Sequence, residues 1–156
     1  MQTMEVLVRK EYIYENLAVK TQDELFEIMG GRLTEDGITR NTFVQALKDR
    51  EKKFPTGLHT SGIIIAMPHT DSSHVNEGCI SIAKLKEPIL FHEMGNAKNE
   101  LEVQMVFMLA LNDPTTHLEM LQKIIGMFSD KKILNNLKEA KCVEQIYNIV
   151  SEATKN

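Results

Sequence analysis

Histidine is the residue type in this 156-residue chain with the most chemistry to offer, and one of its five histidines stands apart by its setting. His69 follows the β-branched run Gly62 to Met67 and Pro68. That order reads as a buried strand closed by a proline turn, so the backbone at His69 is stiff and its side chain leaves at a sheet edge. Loops at the ends of rigid strands are where sites concentrate. An imidazole with a pKa of about 6.5 is largely neutral at pH 7 and can act as a nucleophile, and the nitrogen that attacks is chosen by whatever holds the other one. Asp71, Ser72, Ser73 and His74 crowd the same loop. His74 reads first as an ordinary exposed loop residue and second as a candidate for shaping the site. On residue types alone, a polar turn after a strand explains the cluster as well as a reactive centre does.

Two further side chains are placed to help. His117 opens a helix that follows the apolar run Val103 to Leu111; if that run lies beside Gly62 to Met67, both histidines reach one end of the sheet. Arg50 sits in Arg50-Glu51-Lys52-Lys53 at a helix end, where its charge suits the negative terminus. Metal ligation lacks the usual spacings. There is no HExxH, the two cysteines form no CxxC, and His69 and His74 suit neither one helix face nor one strand face. No GxxxxGK[ST], GxGxxG or GxSxG occurs, so neither a metal nor a cofactor is expected.

The elements that must carry these groups follow from pattern. Glu5 to Val8 and Tyr12 to Ile13 are short apolar runs with strand character. Thr21-Gln22-Asp23-Glu24 is a capping box that starts a helix, with Leu25, Phe26, Ile28 and Met29 at helical spacing and Gly30-Gly31 as its expected stop. A second helix is predicted over about residues 41–53, with Phe43, Val44 and Leu47 inward, broken by Phe54-Pro55-Thr56-Gly57. Strands are predicted at Gly62 to Met67, at Cys79 to Lys84 and, centrally, at Val103 to Leu111, with Pro88 to Phe91 a short edge segment. Asn112-Asp113-Pro114 opens a helix along which His117, Leu118, Leu121, Ile124, Ile125 and Phe128 recur. Two more helices are predicted near residues 130–138 and 142–153. Helices mixed with strands throughout define an α/β (α+β) class, a mixed β-sheet flanked by helices.

Composition sets the outer bounds. Residues 1–156 fit one domain, with 42% apolar and 26% charged residues. A net charge of −4 argues against a nucleic-acid partner. No apolar run approaches the roughly 20 residues of a membrane span. With two scattered cysteines, nine methionines and no secretory leader, the chain reads as cytoplasmic with reduced thiols.

The order Arg50-Glu51-Lys52, Phe54-Pro55-Thr56-Gly57, Ile65-Ala66-Met67-Pro68-His69 and then His117 resembles the fructose/mannitol superfamily of phosphotransferase-system enzyme IIA proteins. The likeness runs from about residue 24 to 149. Within it, Arg-Glu-x-x-Phe-Pro-Thr-Gly before the strand and Pro-His-x-x-x-x-His after it look like the galactitol-specific branch. The resemblance implies a phosphocarrier with His69 as the phosphorylated residue, Arg50 neutralising the phosphoryl group and His117 assisting. It implies the histidine phosphocarrier protein (HPr) as donor, a cysteine of enzyme IIB as acceptor and membrane enzyme IIC as an indirect partner. Thr70 stands where many members have Gly, so this loop is expected to be tighter or to lend a hydroxyl to the phosphoryl oxygens. Met67, Leu58 and Ile63 are expected to ring a shallow docking depression. Two other functions stay open: a regulatory module of the same fold, and an interaction domain in which His69 is a turn residue.

Overall fold

The computed structural model describes residues 7–154. Its most apolar run forms the inner half of β5 (Asn96–Ala110), which pairs antiparallel with β4 (Cys79–Glu93) on one side and parallel with β3 (Ile65–Ala66) on the other. β1 (Val8–Leu17) adds in parallel to β4, and β2 (Gly57–Leu58) bridges β3 and the far end of β4, which completes a five-stranded mixed sheet. Along β5, Met105, Phe107 and Leu109 join one core cluster and Val106 and Met108 the other. This period-2 alternation in a wholly apolar segment requires helices on both faces. Helices α1 (Gln22–Glu35) and α2 (Phe43–Lys53) cover one face; α3 (Pro114–Met127), α4 (Lys131–Glu139) and α5 (Val143–Ala153) cover the other. No helix among the described residues is long and apolar enough to cross a membrane.

The mixed sheet flanked by helices matches the expected class, and five local expectations are corrected. The strand expected over Gly62 to Met67 forms only at Ile65–Ala66. Glu5 and Val6 of the first expected strand lie outside the described residues, and the run at Tyr12 belongs to one continuous strand. Gly30-Gly31 does not end α1. A Cβ on Gly30 would stand 3.2 Å from Val44 and 3.3 Å from Leu47, so Gly30 lets α1 and α2 pack closely. The helix runs on to Glu35 and stops before Gly37, which takes φ 78°; Gly37 N donates to Thr34 O and Ile38 N to Leu33 O, a Schellman turn. Pro88 to Phe91 is no separate edge but the continuation of β4; the β4–β5 register shifts between Lys84 and Ile89, which spares Pro88 a ladder donor. Gly95, at φ 79°, then turns the chain into β5. In α3 the inward stripe is Thr116, Met120, Ile124 and Met127, while Leu118 and Ile125 face outward.

Candidate functional site

β3 lies parallel to β5 with Ile65 opposite Met105 and Ala66 opposite Val106. Two parallel neighbours deliver their following residues to the same end of the sheet, and that is what brings the two histidines together. Beyond β3, Leu109 N donates to Pro68 O at 3.0 Å and His69 makes a bridge to Leu109, so the backbone stays locked to β5 through His69 itself. Beyond β5, Asp113 caps α3 by accepting from Thr115 N, and His117 N donates to Asp113 O at 2.9 Å in the first turn. The rings of His69 and His117 meet edge to face, 5.1 Å between centroids and 68° apart.

His69 Nδ1 lies 2.7 Å from the carbonyl oxygen of Met67. A carbonyl only accepts, so Nδ1 carries the proton and Nε2 keeps its lone pair. Burial pushes the His69 pKa down; the Met67 carbonyl opposes this, and His117 and Arg50 add to the depression. His117 is likewise lowered, first by burial and then by Arg50. Both shifts favour the neutral form of the two rings.

Arg50 reaches the same place from the last turn of α2. Its Nη1 stands 3.7 Å from Asp71 Oδ1, its guanidinium carbon lies 5.1 Å from the Phe54 ring centroid, and its Nε is buried with no hydrogen-bond partner among the described residues. A buried donor without a partner is uncommon. Arg50, His69, His117 and the loop from Thr70 to Ser73 line one depression of about 340 Å³. Thr70 is buried within that lining. His74 is not part of it; its Nδ1 sits 2.8 Å from Thr42 Oγ1, and its carbonyl accepts from Arg40 N, tying the loop to the start of α2.

Met67 and Ile63 do not ring the depression. Both are buried in the core cluster, and Leu58 packs against it, because the strand they flank is sandwiched between helix layers. The exposed apolar side chains nearest the site in sequence are Phe54, 55% exposed beside Arg50, and Leu118, 59% exposed next to His117. Asp71 as an ionic partner of Arg50 was also missed, although its place two residues after His69 was visible.

Residues 6–153 match the family described as phosphoenolpyruvate-dependent sugar phosphotransferase system, EIIA 2, and the chain belongs to that family. Its members are enzyme IIA components, phosphotransferases that work through a phosphohistidine. The chain is 30% identical over 151 residues to the mannitol-specific phosphotransferase enzyme IIA component of Staphylococcus aureus, covering 96% of this chain and 99% of that one. It is 24% identical over 126 residues to the galactitol-specific EIIA component of Escherichia coli, covering 81% and 83%. Among solved structures it resembles the nitrogen regulatory protein IIA-Ntr of Neisseria meningitidis, with TM-score 0.79, 26% identity and 94% and 98% coverage. It also shares its fold with Escherichia coli enzyme IIA-Mtl, solved in complex with phosphorylated enzyme IIB-Mtl, at TM-score 0.75, 22% identity and 94% and 99% coverage.

Proposed function

We propose that His69 carries the phosphoryl group, that phospho-HPr donates it and that a cysteine of a cognate enzyme IIB accepts it, in cytoplasmic support of galactitol-type sugar uptake through a membrane IIC. The observation that carries this reading is the hydrogen bond from His69 Nδ1 to the Met67 carbonyl, which commits Nε2 to nucleophilic attack. In the first half-reaction Nε2 attacks phosphorus in line; the P–N bond to the donor histidine breaks as the P–Nε2 bond forms, and the donor ring leaves with the electron pair. In the second, the IIB thiolate attacks, P–Nε2 breaks, P–Sγ forms and His69 returns to its neutral state. Phosphoryl transfer asks the protein for alignment and charge stabilisation more than covalent chemistry. Arg50 supplies a planar, partly exposed guanidinium for the equatorial oxygens, and His117 donates one N–H without adding charge. Thr70 is placed to shape the loop around those oxygens. Exposed Phe54, its ring 5.1 Å from the Arg50 guanidinium carbon, and exposed Leu118, next to His117 in sequence, are the apolar side chains offered to the two protein partners.

The galactitol assignment rests on the Arg50-Glu51-x-x-Phe54-Pro55-Thr56-Gly57 stretch and the galactitol-specific relative; the mannitol-specific relative also supports a hexitol cargo. The likeness to a nitrogen regulatory IIA supports a second reading, in which the phosphorylation state of His69 controls a partner. The test is incubation with phosphoenolpyruvate, enzyme I and HPr, followed by a galactitol-type or mannitol-type IIB. An acid-labile, alkali-stable phosphate that vanishes in His69→Ala and passes to the galactitol-type IIB is expected. A chain that takes up no label refutes the carrier role; label that passes to neither IIB favours regulation.

A further inference from the structure

Glu51, next to Arg50 on α2, is the one charged residue buried among the described residues, with 4% exposure. It does not line the depression that holds His69; it lines a separate cavity of about 670 Å³ with Lys52 and His92. Its two oxygens are both engaged by one residue. Thr56 N donates to Oε2 at 2.7 Å and Thr56 Oγ1 to Oε1 at 2.8 Å. This bidentate contact joins the last turn of α2 to the residue that begins the turn into β2. The Thr56 carbonyl in turn accepts from Met67 N at 3.2 Å, and the Met67 carbonyl accepts from His69 Nδ1 at 2.7 Å. Four residues thus link the helix that carries Arg50 to the ring nitrogen opposite the nucleophile.

Burying a carboxyl group is costly unless its hydrogen bonds repay it. A loop staple of the same strength could be made by neutral groups, so the placement calls for a reason beyond holding the turn. The link supplies one. Arg50 and His69 sit on separate elements, and their separation decides whether the guanidinium meets the equatorial oxygens of a group bound to Nε2. We propose that Glu51 is a positioning residue for phosphoryl transfer, fixing α2 and Arg50 against the Thr56–Met67 backbone that orients His69. The proposal rests on the phosphocarrier reading of His69. Glu51 touches neither the phosphoryl group nor a partner surface, so its loss should slow the chemical step and leave donor binding alone.

The experiment compares Glu51→Leu, which removes both acceptors at similar volume, with Glu51→Gln, whose carbonyl still accepts from Thr56 N and whose amide donates to Thr56 Oγ1. Kinetics of His69 phosphorylation by phospho-HPr are measured together with the ¹⁵N tautomer signature of the His69 ring. Glu51→Leu is expected to lose between about tenfold and a hundredfold in kcat with KM for HPr unchanged, the scale of a sub-ångström to ångström misplacement. Its ring should drift from the pure Nδ1–H tautomer, and Glu51→Gln should restore both readouts. If Glu51→Leu does not fold, Thr56→Val against Thr56→Ser asks the same question, since Ser keeps both donors and Val keeps one. Folded Leu or Val variants with wild-type kcat and an unchanged ring signature overturn the proposal, as does a loss confined to KM. Wild-type protein that accepts no phosphoryl group fails the underlying reading instead, while the tautomer measurement still tests the link from Glu51 to His69.

Discussion

Replacing Glu51 by Gln should stabilise this protein, and by an amount that depends on pH. Burial pushes the Glu51 pKa up to about 7 from an ordinary 4.5, with the Thr56 hydrogen bonds and His92 opposing it. The folded state therefore holds a proton that the unfolded chain has already lost over the interval from about 4.5 to about 7. Stability falls with rising pH wherever the folded state binds more protons, so the wild type loses stability through that window. Below it both states are protonated and there is no penalty; above it both are ionised and the penalty is complete. That interval, at about 1.4 kcal/mol for each pH unit, gives a penalty of about 3 kcal/mol. The glutamine side chain mimics the protonated acid, with both contacts to Thr56 kept, and does not titrate. Urea unfolding of the two proteins at half-unit steps should show near equality at about pH 4.5, a widening gap, and a plateau above about pH 7 with Glu51→Gln ahead by about 3 kcal/mol. The difference cancels the titration of groups that do not interact with Glu51. A gap that stays constant with pH refutes the reasoning.

Arg50→Lys keeps the charge but not the fork; with the guanidinium partly exposed, losing one charge-assisted hydrogen bond should cost about 1–3 kcal/mol, or about tenfold to a hundredfold in transfer rate, and Arg50→Ala more. Equal rates for all three proteins in the HPr assay would remove Arg50 from the chemistry. Because the His69 pKa is lowered from 6.5, neutral ring persists as pH falls, so phosphoryl acceptance should hold through pH 6.5 and decline only below it; a midpoint at or above 6.5 in the rate profile contradicts this. Gly31→Ala, inside α1 with nothing within 4 Å of the new Cβ, should raise stability by about 0.5–1 kcal/mol in urea melts. Gly57→Ala should lower it by more than about 2 kcal/mol, because the Cβ would stand 2.7 Å from the His92 carbonyl oxygen and force β2 away from β4; an unaltered melting curve would show that the strand can move freely.

What could be read from sequence was what local rules decide. Pro68 and the capped start of α3 are punctuated by neighbouring residues, so His69 and His117 were placed at the ends of their elements correctly, although the Ile-rich run forms a strand only at Ile65–Ala66. The stop of α1 was misread because Gly30-Gly31 obeys the local rule for a helix end, and only the close approach of Val44 and Leu47 shows why glycine is there. The outer halves of β4 and β5 were invisible because the stretch from Asn96 to Glu100 is exposed and polar; its extended form comes from pairing with β4 rather than from its own preference. Helical spacing marked Leu118 as apolar stripe, but periodicity does not distinguish a face turned to the core from one turned to solvent. Arg50 joins His69 only through the packing of α2, so residue types alone left it a solvated charge and the family likeness was needed to pair it with the histidine.

The hydrogen bond between His69 Nδ1 and the Met67 carbonyl has a thermodynamic side as well as a geometric one. A ring that keeps its Nδ1 proton while Nε2 bears phosphorus stays electron-poor, and an electron-poor ring is a good leaving group. The carbonyl holds that proton in place on both sides of the reaction. Under the proposed carrier role, the phosphorylated ring therefore keeps a high group-transfer potential. One backbone oxygen, locked by a proline and two strands, makes the group easy to accept and easy to surrender.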